Sequence, residues 1–229
     1  MPEIIPAILT DSSLKFKELV RKLEPYTGRI HVDITDGQFV PNKTVTGYNE
    51  LREVEAAVKF DIHLMVEKPE EHLKEWLHTH ADRFIIHAES KGDLMAVIDE
   101  LHNNRRKVGL ALNPETSIKT IEPYLPRTSR SLASGLRHRS KASGIDLVQF
   151  MTVYPGFQGG KFVNEVVDKI ARFHKENPDI IIMSDGSTTL ETGPQLVQAG
   201  VSILVSGSCI IKSQNFEKAI NDLKSAVAQ

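Results

Sequence analysis

Histidine and aspartate stand two residues apart in an otherwise apolar run, His31-Val32-Asp33. Similar runs carry His63, in Asp61-Ile62-His63-Leu64-Met65, and Asp185, after Ile180 to Ser184. On an extended strand, side chains two apart leave from one face, about 7 Å apart at Cα. An imidazole and a carboxylate on a buried strand need partners, because an unpaired charge in an apolar interior is costly. A divalent metal is one such partner. His31, Asp33, His63 and Asp185 make a mixed nitrogen and oxygen set of the kind that zinc, manganese or iron accept. Two hydrogen-bonded His/Asp pairs without metal are the other solution.

A second pattern suits phosphate. Gly156, Gly159 and Gly160 crowd one segment, Asp185-Gly186-Ser187 forms another, and Gly207-Ser208 a third. Backbone N–H groups in such turns can approach and cradle a phosphate, although glycine also serves plain tight turns. Other reactive types read as structural. Cys209 beside a glycine turn lacks an obvious base and reads as a small core residue, and Met65 and Met151 as core filling. His72, His78 and His80 fall on or near a polar helix and read as solvated. His87 and Asp36 fall at or just after strand ends. The chain has no G-x-S-x-G, C-x-x-C or H-E-x-x-H arrangement.

The elements that must hold these groups alternate strictly. Nearly continuous apolar runs predict strands over Ile4 to Leu9, Arg29 to Asp33, Phe60 to Met65, Arg83 to His87, Val108 to Leu112, Leu147 to Val153, Ile180 to Asp185 and Ser202 to Val205. Continuous rather than alternating hydrophobicity suits parallel strands buried on both faces. Amphipathic segments between them predict helices over Leu14 to Leu23, Asn49 to Val58, Pro69 to Leu77, Leu94 to Asn104, Ile118 to Tyr124, Phe162 to Glu176, Leu190 to Ala199 and Phe216 to Val227. Eight β-α units predict an α/β fold, a (β/α)8 TIM barrel, with catalytic groups at the C-terminal ends of the strands. A doubly wound open sheet is the competing topology, but the turn Leu9-Thr10-Asp11 after the first strand has no glycine-rich dinucleotide fingerprint.

Composition agrees with a globular chain. The chain has 229 residues, 40% hydrophobic and 25% charged, ordinary values that exclude collagen-like, disordered and disulfide-scaffold classes. That length is consistent with one barrel domain spanning 1–229. A formal net charge of -2 offers no general attraction for nucleic acid or an anionic membrane. No apolar run approaches the roughly 18 residues of a membrane span, and Met-Pro-Glu-Ile-Ile-Pro does not read as a secretion signal. With Cys209 the single cysteine, a reducing, cytoplasmic setting is expected. Residues 127–144 interrupt the pattern: they carry five Lys or Arg, no acid and much serine, and read as a solvated, flexible insertion after the fifth helix.

Several long stretches, taken in order, resemble ribulose-phosphate 3-epimerases over essentially the whole chain outside that insertion. They are H-V-D-I-T-D-G-Q-F-V-P-N from His31, D-I-H-L-M-V from Asp61, I-H-A-E from Ile86, G-L-A-L-N-P-E-T from Gly109, M-T-V-Y-P-G-F-Q-G-G-K-F from Met151 and G-S-C-I from Gly207. The resemblance implies a ribulose-phosphate-binding barrel with one divalent metal ion (Zn, Fe(II), Mn or Co) on His31, Asp33, His63 and Asp185. It implies Asp33 and Asp185 as the two acid/base carboxylates. Substrate and phosphate contacts are implied for His63, Gly156, Phe157, Gln158, Gly159, Gly186, Ser187, Gly207 and Ser208. The implied reaction interconverts D-ribulose 5-phosphate and D-xylulose 5-phosphate through a cis-enediolate. A homo-oligomer acting on a small sugar phosphate, with no nucleic-acid or membrane partner, is the matching expectation.

Four departures stand out. Ala7 occupies the place of a usual serine, Thr35 that of a methionine, Gln158 that of a lid glycine, and Ser187 that of a second glycine. The related allulose-6-phosphate 3-epimerases also carry a serine there, which leaves the sugar length open, and a degenerate barrel that binds sugar phosphate without turnover is the further alternative. Lyases and decarboxylases of related barrels use a D-x-K-x-x-D pattern, whereas His31-Val32-Asp33-Ile34-Thr35-Asp36 has no lysine.

Overall fold

The computed structural model describes residues 1–126, 144–156 and 159–228. The apolar runs become β1 (Glu3–Ile8), β2 (Arg29–Thr35), β3 (Lys59–Met65), β4 (Arg83–His87), β5 (Lys107–Leu112), β6 (Leu147–Met151), β7 (Ile181–Asp185) and β8 (Ile203–Ser206). Each strand pairs in parallel with its sequence neighbours, and β8 closes on β1. Closure leaves no sheet edge to protect.

Parallel neighbours require crossovers outside the barrel. These contain α1 (Ser13–Leu23), α2 (Tyr48–Glu53), α3 (Glu70–Leu77), α4 (Leu94–Asn103), α5 (Glu165–Glu176) and α6 (Thr192–Gln198), and α7 (Ser208–Ile211) and α8 (Phe216–Val227) follow β8. Side chains set several starts. Ser12 accepts from the Lys15 N–H, Asp93 from the Met95 and Ala96 N–H groups, and Asn215 from the Lys218 N–H, which satisfies donors that have no intrahelical partner. Phe16, Phe60, Trp76, Phe84, Phe150 and Phe173 are fully buried in the large cluster between strands and helices. A second, separate cluster of Ile5, Ala7, Ile85, Ala111, Leu147, Met183, Ile203 and Val205 fills the apolar side of the barrel interior.

Four predicted elements differ. The helix expected over 49–58 stops at Glu53, and beyond it the Ala57 N–H is taken by the Glu24 carboxylate at 2.7 Å instead of a helical carbonyl. The segment 118–124 forms two 3-10 turns, Ile118–Thr120 and Glu122–Tyr124, because Pro123 removes the donor that an α-helix would need. β2 continues two residues past Asp33 to Thr35, whereas β6 ends at Met151. Of the expected insertion at 127–144, only Gly144 falls within the described residues. Among the described residues, no helix is long and apolar enough to cross a membrane.

The β2–β4 side of the interior is polar from the bottom up. At the strand N-termini, the fully buried Asp61 accepts from Arg29 Nη1 at 2.5 Å and from Arg83 Nε at 2.8 Å. Arg29 also pairs with Asp82 through both terminal nitrogens. Two guanidiniums on one carboxylate keep the buried charges matched. Above this network lie the histidines.

Candidate active site

Strand register decides which titratable groups meet. Asp33 on β2 is paired with His63 on β3, and the alternation along β2 puts His31 one layer below Asp33. Asp185 ends β7 beside Met151 of β6 and faces the same cluster from across the barrel. His63 Nδ1 lies 2.9 Å from Asp33 Oδ1 and 3.2 Å from Asp185 Oδ2. His31 Nε2 lies 3.5 Å from Asp33 Oδ1 and 3.6 Å from Asp185 Oδ2. One ligand atom from each of the four residues falls within 4.8 Å of the others, and all four residues are buried.

These donors fit a cation. Both ring nitrogens of His31 are buried without a hydrogen-bond partner, an expensive condition that a metal on Nε2 would relieve. Two imidazoles and two carboxylates are also a donor set that divalent transition metals take. The group can hold a metal ion. Without one, protons take its place. Burial opposes a charged His31, but Asp185 and Asp33 outweigh it and hold the ring's pKa up to about 10. His63 is raised against burial by the same two carboxylates. Burial would lift Asp185 in turn, yet His31 and His63 bring it well below the usual carboxylate range.

Other side chains complete the cluster. Gln149 on β6 is fully buried and donates to Asp185 Oδ2 at 3.2 Å. Behind His63, its Nε2 meets His87 Nε2 at 2.9 Å, and His87 Nδ1 meets Glu89 Oε2 at 3.1 Å. Burial pulls the His87 ring below the ordinary histidine value despite Glu89. Glu89, which burial alone would raise, is brought down to about 2 by His87 and the surrounding donors. Neither Gln149 nor Glu89 is among the residues expected from the sequence. A polar residue inside the apolar run Leu147 to Met151 was the available signal for the first. For Glu89 the signal was its spacing, two residues past a buried histidine.

Above the cluster opens a small cavity. Its walls include Asp33, Asp185, Ala7, Leu9, Gly156, Gly159, Gly186, Ser187, Gly207 and Ser208, so three glycine-containing loops meet the two carboxylates in one place. Met65 and Met151 also face it, which corrects their reading as core filling alone: at strand C-termini the inward side chains cap the barrel and border the cavity. His63 lies beneath the cavity, fully buried, and is not part of its wall. Phe157 and Gln158 lie outside the described residues. Gly186 has φ +107°, and a Cβ there would run into Val153, so the loop after β7 needs glycine. Ser187 adopts a left-handed φ of 43° and donates its hydroxyl to the Gly160 carbonyl, tying the loops after β6 and β7 together. Asp36 proves structural: it accepts the Gln38, Phe39 and Glu67 N–H groups at 2.7–2.8 Å and braces the loop after β2.

Titratable groups gathered at the C-terminal mouth of a closed (β/α)8 barrel, under a glycine-walled cavity, define a barrel enzyme. The model of the ribulose-phosphate 3-epimerase family matches residues 3–132 and 137–211, and the chain belongs to that family; it is an epimerase. Ribulose-phosphate 3-epimerase of Bacillus subtilis (strain 168) is 30% identical over 232 residues, covering 98% of this chain and 99% of that protein. Ribulose-phosphate 3-epimerase of Schizosaccharomyces pombe is also 30% identical, covering 98% and 93%. Among solved structures, KGPDC from Streptococcus mutans superposes with a TM-score of 0.68 at 12% identity, covering 99% of this chain and 97% of that one. A 3-hexulose-6-phosphate synthase from Salmonella typhimurium gives 0.66 at 10%, covering 99% of each. At such identities the likeness is one of fold.

Proposed function

We propose that the chain interconverts D-ribulose 5-phosphate and D-xylulose 5-phosphate by moving a proton at C3, with Asp33 and Asp185 as the acid/base pair. The observation that carries this reading is that carboxylates from β2 and β7 approach one buried cluster from different sides and both reach the wall of one cavity. Inversion needs a base on one face of the carbon and an acid on the other. One aspartate takes the C3 proton and leaves a cis-enediolate; the other returns a proton to the opposite face. A divalent cation (Zn, Fe(II), Mn or Co) held by His31, Asp33, His63 and Asp185 supplies Lewis-acid stabilisation of the negative charge that develops during proton removal.

The chain's own residues do the rest. Gln149 donates to Asp185 and orients it. The backbone of Gly156, Gly159, Gly186, Ser187, Gly207 and Ser208 receives the phosphate at the far end of the cavity, so binding energy away from the reacting carbon orients it. The test is a pair of measurements: solvent deuterium entering C3 of ribulose 5-phosphate, and turnover compared with allulose 6-phosphate. Exchange with preference for the five-carbon sugar supports the reading. Preference for the six-carbon sugar reassigns the substrate, and binding without exchange means a barrel that holds sugar phosphate and does not turn it over.

A further inference from the structure

The geometry points to Glu89 and His87 as positioning residues that set the direction of the hydrogen bonds behind His63, leaving Nδ1 as the nitrogen that a cation would take. This rests on the reading that His31, Asp33, His63 and Asp185 hold one. His63 and His87 meet through their Nε2 atoms at 2.9 Å, with ring planes inclined at 20° and centroids 5.0 Å apart. Nitrogens that close between nearly coplanar rings mean contact edge to edge, a hydrogen bond in the plane of both rings. Two N–H groups cannot face each other at that distance, so one ring offers a proton and the other a lone pair.

Glu89 decides which. Its Oε2 lies 3.1 Å from His87 Nδ1, and its Oε1 already accepts the Asn113 N–H at 2.8 Å, which fixes the carboxylate in place. A carboxylate only accepts, so His87 donates to it from Nδ1, and as a neutral ring with that one proton it presents a lone pair at Nε2. His63 must then donate from Nε2. That holds whether or not Nδ1 is also protonated, and it leaves Nδ1, the atom 2.9 Å from Asp33 and 3.2 Å from Asp185, as the ligand. Phe39 closes over the other side of His87, with ring centroids 4.6 Å apart. A histidine ligand whose second nitrogen donates to an oriented acceptor binds metal in one tautomer and one orientation, and losing such a partner costs about 10- to 100-fold in affinity.

The test reads the tautomer and the cation separately. Long-range ¹⁵N–¹H correlation spectra of the metal-free chain should show His87 protonated on Nδ1 alone and His63 protonated on Nε2. Co²⁺ affinity, followed by its visible absorption, should fall about 10- to 100-fold in His87→Leu and in Glu89→Leu. It should stay close to wild type in Glu89→Gln, which still offers an oxygen to Nδ1. If His87→Leu fails to fold, Glu89→Leu carries the affinity arm, since Glu89 stands at the partly exposed rim. A proton on His87 Nε2, or unchanged Co²⁺ affinity in a folded leucine variant, overturns the inference. A wild-type chain that takes up no Co²⁺ while His87 shows the stated tautomer refutes the cation reading instead, and not the hydrogen-bond chain.

Discussion

Loading the site with a divalent cation should expel protons, in a number that the cluster's geometry sets. In the cation-free chain, Asp33 and Asp185 hold the His31 pKa at about 10 and raise that of His63. A cation can use these rings only when the ligating nitrogens are bare, so it competes with protons. The sign follows: a raised histidine pKa makes the cation bind more weakly as pH falls. With His31 near 10, binding at pH 8 works against two pH units of protonation, about 2.7 kcal/mol or roughly 100-fold in apparent affinity. Between pH 6.5 and 8.5 the apparent affinity for Zn²⁺ or Co²⁺ should therefore climb about 100-fold from His31 alone, and more steeply if His63 releases a proton as well. Asp185 is already ionised over this window and contributes no proton. Calorimetric titration in buffers of equal pH but different ionisation enthalpy counts the released protons directly. A binding heat independent of buffer, or an affinity flat across that range, would refute the claim that the carboxylates keep His31 charged in the empty cluster.

Three further outcomes are expected. Asp33→Asn and Asp185→Asn should each abolish epimerisation, because each removes one of the two proton carriers; near-normal turnover of either would sink the two-carboxylate scheme. Gly186→Ala places a Cβ against Val153 at a backbone angle that L-residues resist, so KM should rise about 10-fold or more as the phosphate loop shifts, which corresponds to about 1.4 kcal/mol of lost binding; steady-state kinetics with an unchanged KM would show that the loop does not contact substrate. Asp61→Asn breaks the carboxylate that Arg29 and Arg83 share at the barrel floor and should cost about 3–5 kcal/mol. Urea unfolding measures it, and a loss below about 1 kcal/mol would mean that the two arginines find other partners.

Alternation of apolar runs with amphipathic segments was enough to predict a barrel, because strands buried on both faces leave a continuous hydrophobic signature. The segments 49–58 and 118–124 were less legible: periodicity sees neither the Glu24 carboxylate capturing the Ala57 N–H nor how Pro123 reshapes a short turn. The same divide runs through the site. His31 and Asp33 share a strand and a face by simple period-two geometry, so their proximity needed no fold. Gln149 and Glu89 resemble ordinary polar residues in the chain, and their roles come only from neighbours far away in sequence.

What the amino-acid order determined by itself is the inventory: two histidines and two aspartates in apolar runs, glycines where loops must turn tightly, and a barrel's rhythm. Only closure of the sheet decided that β7 lies across from β2 and β3, putting Asp185 within 3.2 Å of His63, 122 positions away in the chain. The register of β3 against β4 set the His87 edge against that of His63. The physical reason is that local spacing fixes which face a side chain leaves from, whereas register, barrel tilt and curvature fix which faces meet.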